Sequence, residues 1–270
     1  RDLFMFLWFT GHEASVDETA VAFGYPYRVA ARKIHSICEF VCSLKEETIF
    51  FPETAEQTEL AVSDFQKITE LPGILGYVYS TCFKVPKKET PIRLQGIFDA
   101  KKRFLSVSFT EEMDATSEWE LISADIIDVN DKGDDFIWIL SKLTMLKQCI
   151  IKPFVKDENL TANQKNFNQL YVVARALYRD VFQILCTRFP RLNYLDMTSE
   201  NAKRVILSCC VLYNFCIDNE DYFNEFITNE AVLNENEHYV GCNKPNPKRD
   251  EILDRLSERK HLIKCEAGAT

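Results

Sequence analysis

The stretch Ile92-Arg93-Leu94-Gln95-Gly96-Ile97-Phe98-Asp99-Ala100-Lys101-Lys102-Arg103-Phe104-Leu105-Ser106-Val107-Ser108-Phe109 decides the fold class. Two runs rich in β-branched and aromatic residues, 92–99 and 103–109, flank the turn Ala100-Lys101-Lys102. Leu105, Val107 and Phe109 alternate, which predicts that they share one face. Upstream, residues 74–85 have the same character after the stop Leu71-Pro72-Gly73. Three strands in succession predict an antiparallel meander. Downstream, Phe136-Ile137-Trp138-Ile139-Leu140 reads as a short strand buried on both faces.

Helices surround these strands. The opening Arg1-Asp2-Leu3-Phe4-Met5-Phe6-Leu7-Trp8-Phe9 reads as a helix; it is short and lacks a small-residue cleavage site. Residues 16–24 form a short helix stopped by Gly24, and Pro26 opens a second one. In that second helix Val29, Ala30, Ile34, Ile37, Val41 and Leu44 recur near helical spacing. Further helices are expected over 58–69 and 117–129, and as one unbroken element over 162–189, ended by Pro190. Ser199 or Asn201 caps a helix whose middle, 205–213, is apolar almost all round and therefore central. Residues 229–246 read as a polar loop and 249–262 as a charged helix. The class is α+β, a mixed sheet covered by helices. The expected division is 1–70 helical, 71–219 core, and 220–270 polar loop with a terminal helix.

Composition narrows the function. With 270 residues, 46% of them apolar and 27% charged, the chain is neither wholly disordered nor, with 8 glycines and 9 prolines, fibrous. No apolar run reaches the ~18 residues of a membrane span, so a soluble intracellular protein is expected. Of ten cysteines, Cys38, Cys149, Cys186, Cys209, Cys210 and Cys216 lie inside apolar runs, as reduced thiols do. Cys38 and Cys42 are one helical turn apart with His35 close by. The four histidines nevertheless supply no second ligand pair at zinc spacing, so neither a structural metal nor a cofactor is expected. No dinucleotide fingerprint, P-loop or nucleophile elbow is present.

Charge is unevenly spread. The net charge is −9, and residues 111–135 alone hold ten acids against Lys132, so the remainder is neutral overall. Glu111, Glu112, Asp114, Asp131, Asp134 and Asp135 suit a basic protein partner better than a phosphate backbone. Near the N-terminus the order helix, glycine-containing turn, helix is the helix-turn-helix pattern. Its second helix carries Arg28, Arg32, Lys33 and Lys45 against Glu39, a local surplus suited to phosphate contact or to a solvated helix face.

Several segments together resemble the PIF/Harbinger-type DDE transposases and their domesticated relatives, from about Leu3 to Ile217 and weakly at Lys248-Arg249-Asp250. The family's first core strand begins like Leu71-Pro72-Gly73-Ile74-Leu75-Gly76. Its second and third strands match Asp99 with Arg103-Phe104-Leu105. Its late helices look like Ala174-Arg175-Ala176-Leu177 and, most specifically, Ser208-Cys209-Cys210-Val211-Leu212-Tyr213-Asn214. The resemblance implies an RNase H-like nuclease core preceded by a helix-turn-helix. The family's chemistry is phosphodiester hydrolysis and strand transfer by divalent ions held on carboxylates.

The same correspondence puts Tyr79, Ala115, Ser141 and Ala174 where the family has acids, and Tyr213 where it has histidine. Asp114 is the one remnant carboxylate; Asp180 lies six residues past Ala174 and Asp99 at a hairpin turn. The resemblance therefore implies a domesticated, nuclease-inactive protein of the nucleus. It would be a protein-interaction or chromatin adaptor whose partner is a Myb/SANT-type DNA-binding protein or a chromatin complex, with homodimerisation allowed. No membrane is involved, and DNA comes second, through Arg28, Arg32 and Lys33. The alternative is an active metal-dependent endonuclease rebuilt around Asp114; a third reading is DNA binding by the helix-turn-helix alone.

Overall fold

The computed structural model describes residues 1–86, 90–110, 139–141, 150–155, 159–221 and 245–267, of which 139–141, 150 and 259–267 are described by backbone alone. The helix expected at 117–129 and the polar loop expected at 229–246 (save Pro245 and Asn246) lie outside the described residues, as does the acidic block.

Three helices open the chain: α1 (Asp2–Thr10), α2 (Val16–Phe23) and α3 (Tyr27–Ser43), followed by the single turn α4 (Lys45–Thr48) and by α5 (Ala55–Thr69). The sequence explains their limits. Ser15 and Glu18 form a reciprocal capping box at α2, which ends at Gly24 with φ 68°. Pro26 stands at the N-cap of α3. A second capping box, Thr54 with Gln57, starts α5 three residues before the expected 58. The apolar face of α3, Ala30, Ile34, Cys38 and Val41, is buried.

The strands are β1 (Gly76–Phe83), β2 (Ile92–Phe98), β3 (Phe104–Thr110), β4 (Ile139–Ser141) and β5 (Ile150–Ile151). The order across the sheet is β3-β2-β1-β4-β5. β1, β2 and β3 pair antiparallel as the meander reading expects, and β4 joins β1 and β5 in parallel. The hairpin between β2 and β3 is tied by Asp99, whose Oδ1 accepts from Lys101 N–H at 2.8 Å and Arg103 N–H at 2.9 Å. Lys102 completes the turn with φ 66°.

One expectation about this hairpin is corrected. Leu105 does not share a face with Val107 and Phe109. The register slips between Ile97 and Phe98, so that Phe98 faces Phe104 while Ile97 faces Ser106. Leu105 is the extra residue of this bulge. It packs with Leu75, Val78 and Ile97 on one side of the sheet, while Phe104 and Val107 join the main core on the other.

The helix expected over 162–189 is two helices, α6 (Ala162–Tyr178) and α7 (Val181–Arg188), ahead of a 3₁₀ turn at Pro190–Asn193. At the join Arg179 N–H bonds Ala176 C=O, three residues back, which tightens the last turn of α6. The apolar stripe runs on across it through Tyr178, Val181, Phe182 and Leu185. α8 (Ser199–Asp218) is capped by Thr198, not by Ser199 or Asn201: the Thr198 hydroxyl accepts from Asn201 N–H. Its middle is buried, as expected for a central helix, with Ile206, Cys209, Cys210 and Val211 inaccessible. α9 (Pro247–Ala267) begins where Asn246 Oδ1 accepts from Lys248 and Arg249 N–H. One apolar core runs from Met5 of α1 to Leu256 of α9.

Candidate functional site

β1 lies at the middle of the sheet, and the positions the resemblance marks as catalytic gather along it. Tyr79 is on β1, and Ser141 on β4 pairs with Val78, the residue before it. α6 packs across β1 and buries Ala174 completely, on the stripe that also carries Tyr171 and Tyr178. Three of the four positions, Tyr79, Ser141 and Ala174, therefore belong to one strand pair and the helix over it. Ala115 and the remnant Asp114 lie outside the described residues.

Aromatic rings occupy this seam. Tyr77 stacks on Tyr178 at 5.2 Å and 4°, and Phe65 of α5 also stacks with Tyr178, at 5.9 Å. Tyr79 stacks on Phe182 at 5.9 Å. Tyr178 donates from its hydroxyl to the Asp99 carbonyl at 2.8 Å. Burial, reinforced by the Tyr171 phenol, pushes the Tyr77 hydroxyl well above its ordinary value, and burial raises Tyr178 as well. Such phenols stay protonated near neutral pH and supply neither a base nor a hard anionic ligand. Tyr213, at the family's histidine position, is buried with its ring edge against Phe104 at 5.6 Å.

The other carboxylates weighed from the sequence stand apart. Asp99 is engaged by its own hairpin, and burial raises its carboxyl above the usual range despite those bonds and Arg103. Asp180 lies at the join of α6 and α7, 3.4 Å from Arg179 Nε. Among the described residues no three His, Cys, Asp or Glu side chains gather as a metal site. His35 pairs with Glu39 at 3.3 Å.

The three basic residues proposed for DNA are not equivalent. Arg28 and Arg32, one turn apart on α3, are exposed. Lys33 turns inward, forms an ion pair with Asp2 of α1 and lies 5.3 Å from the Tyr25 ring centroid. That hydrogen bond to Asp2 raises the lysine's affinity for its proton. Lys33 thus ties α3 to α1, while Arg28 and Arg32 remain available to a ligand.

Sequence reasoning missed several structural residues. Asn214 of α8 accepts from Phe104 N–H at 2.9 Å and donates to the carbonyls of Phe104 and Thr48, each at 2.8 Å. Asn168 of α6 grips the backbone of Phe154 in the same way, at 2.8 and 3.0 Å. Arg191, wholly buried, lies 4.8 Å from the Phe9 ring, donates to Ala14 C=O at 2.9 Å and pairs with Asp196. A cleft of about 640 Å³ opens between α3 and the first turns of α8. No local pattern announces it, because its walls are some 160 residues apart in the chain.

Among the described residues no helix is long and apolar enough to cross a membrane. Comparison of the chain with protein-family models, with curated proteins and with solved structures finds no match in any of the three.

Proposed function

We propose that this chain is a transposase-derived nuclear adaptor: an RNase H-like core behind a helix-turn-helix, with the nuclease chemistry lost. The observation that carries the reading is the convergence of Tyr79, Ser141 and Ala174 on the β1–β4 pair and the helix above it. The correspondence with the family's acid positions requires such a meeting, and the meeting supports the reading. The sheet supports the same core, because three antiparallel strands continue into parallel β4 and β5. α2, a three-residue turn and α3 support the helix-turn-helix.

In this reading a phenol and a buried methyl replace two metal-holding carboxylates, and the scaffold survives for its surfaces. The acidic positions Glu111, Glu112, Asp114, Asp131, Asp134 and Asp135 dock a basic Myb/SANT-type or chromatin protein, with fast, salt-sensitive encounter. Arg28 and Arg32 add a phosphate contact of secondary weight.

Two assays test it. Plasmid nicking by the purified chain across magnesium and manganese is expected to give no cleavage above a no-protein control. Affinity capture from nuclei is expected to return a basic DNA-binding partner whose retention falls with salt. Metal-dependent nicking abolished by Asp114→Ala would replace the adaptor with the rebuilt endonuclease.

A further inference from the structure

The cleft between α3 and α8 has the shape and the charge of a docking groove. On α3 its wall is Tyr27, Ala31, Ile34 and Cys38, with His35 beside them. These recur at steps of four, three and four residues, so one face of the helix lines the space. That face runs for about 16 Å, or three helical turns. On α8 the facing wall is Asn201, Arg204 and Val205, and Phe9 and Val85 also line the cleft. Ile34, Cys38, Val205, Phe9 and Val85 are buried, whereas Tyr27 and Asn201 are exposed. An apolar floor of this length between two helices, with a polar rim, suits a third helix that inserts side chains at i, i+3 or i+4, and i+7.

The charges at the mouth decide which helix fits. Asp17, exposed in the first turn of α2, lines the cleft and has no ion-pair partner among the described residues. Asp196 lines it too and pairs with wholly buried Arg191. Arg204 is shared between Glu39 at 3.7 Å and Glu200 at 3.4 Å, both more than half exposed. Glu39 is also 3.3 Å from His35. Four carboxylates, on Asp17, Glu39, Asp196 and Glu200, thus stand against two guanidinium groups, one of them inaccessible. Arg28 and Arg32 follow Tyr27 and Ala31 on α3 but do not line the cleft. The surplus at the mouth is negative, which favours an incoming helix rich in lysine and arginine and disfavours an acidic one.

We propose that this groove seats a basic amphipathic helix of a protein partner. Its apolar side chains lie on Ile34, Cys38 and Val205, and its lysines and arginines lie beside Asp17, Glu39 and Glu200. The inference rests on the adaptor reading for the kind of partner, and adds a contact separate from residues 111–135.

The test uses the full chain and a synthetic probe: a fluorescein-labelled helix of about four turns, with leucine at i, i+3, i+4 and i+7 and lysine or arginine elsewhere. One control peptide replaces the basic residues by glutamate; the other scrambles the leucines. Fluorescence anisotropy is expected to show saturable binding of the probe alone, weakening as salt rises. Ala31→Arg, which sets a bulky cation in the α3 wall, is expected to weaken it by roughly tenfold or more. Glu111→Gln with Glu112→Gln leaves it unchanged. A benzophenone at the probe's central leucine is expected to cross-link to the cleft walls on α3 or α8 of the unmodified chain, and this decides alone should Ala31→Arg fail to fold. No binding, equal binding of either control, full affinity in Ala31→Arg, loss in the Glu111 and Glu112 variant, or cross-links outside the cleft overturns the proposal. So does a dimer in sedimentation equilibrium that Ala31→Arg dissociates, which assigns the groove to a second copy of the chain. Plasmid nicking reports separately on the adaptor reading: cleavage with probe binding intact overturns that reading and leaves the groove, while neither cleavage nor probe binding overturns the groove alone.

Discussion

Replacing Asn214 by alanine removes three hydrogen bonds at one stroke. The amide carries the start of β3 and the end of α4 together, bonding Phe104 N–H, Phe104 C=O and Thr48 C=O at 2.8–2.9 Å. It is fully buried, so water does not replace it. Each neutral bond contributes about 1 kcal/mol net, and a buried N–H left unpaired costs about 1–3 kcal/mol. The expected loss is therefore about 3–5 kcal/mol. Scaling the usual unfolding entropy per residue to 270 residues turns this into a fall in Tm of about 5–9 °C. Differential scanning calorimetry measures it directly. Asn214→Asp is the sharper control, since it keeps the acceptor for Phe104 N–H but turns a carboxylate oxygen on two carbonyls. It is expected to destabilise at least as much near neutral pH and to recover in part as acid protonates it. Asn168→Ala, which loses two such bonds at Phe154, should cost about 2–3 kcal/mol. A Tm change under 1 °C for Asn214→Ala, or an Asp variant as stable as the unmodified chain, refutes the clamp.

Ala174→Glu, which places an acid where the resemblance has one, would bury a carboxylate at a site with no accessible surface. It is expected to abolish soluble folded protein without producing nicking, whereas half-exposed Tyr79→Asp leaves the chain folded and still without nicking. Gly76→Ala would drive its Cβ into the Phe98 carbonyl, and Gly96→Ala would meet the Phe98 and Phe104 rings at 2.7–2.9 Å. Backbone yields less than rings, so calorimetry should show the larger Tm loss for Gly76→Ala. At Asp99 the folded carboxyl is the more basic form, raised by burial. Its ionisation therefore weighs against folding near pH 7 and ceases to as pH falls through the raised value. Asp99→Asn keeps an acceptor for Lys101 and Arg103 N–H, so it should match or exceed the unmodified chain at pH 7, with the advantage shrinking in acid. A widening advantage in acid would reverse that sign.

The meander was legible because a period of two and a short polar turn are local signals, and the first helices were legible from Gly24 and Pro26. The bulge at Leu105 was not, since an inserted residue leaves the alternation of 103–109 looking regular and only the partner strand exposes the slip. The break between α6 and α7 carries no proline or glycine, and its apolar stripe is continuous, so sequence reads one helix. Ser199 and Asn201 were the caps read from the sequence; the hydrogen bond from Asn201 N–H identifies the residue before them, Thr198. The candidate site was legible only through the residues at Tyr79, Ser141 and Ala174, whose meeting depends on parallel pairing between strands some sixty residues apart. The inward turn of Lys33 depends on Asp2, thirty-one residues away.

The two asparagine clamps sit at opposite margins of the sheet, Asn214 at the head of β3 and Asn168 just beyond β5. Each side-chain amide accepts from the N–H and donates to the C=O of a single residue, as a further strand would. At Phe104 and Phe154 the chain thus seals its own borders, and those peptide groups have nothing left to offer a stray strand from another molecule. The same substitutions that loosen the fold should accordingly also make it sticky, with light scattering rising before the cooperative melt.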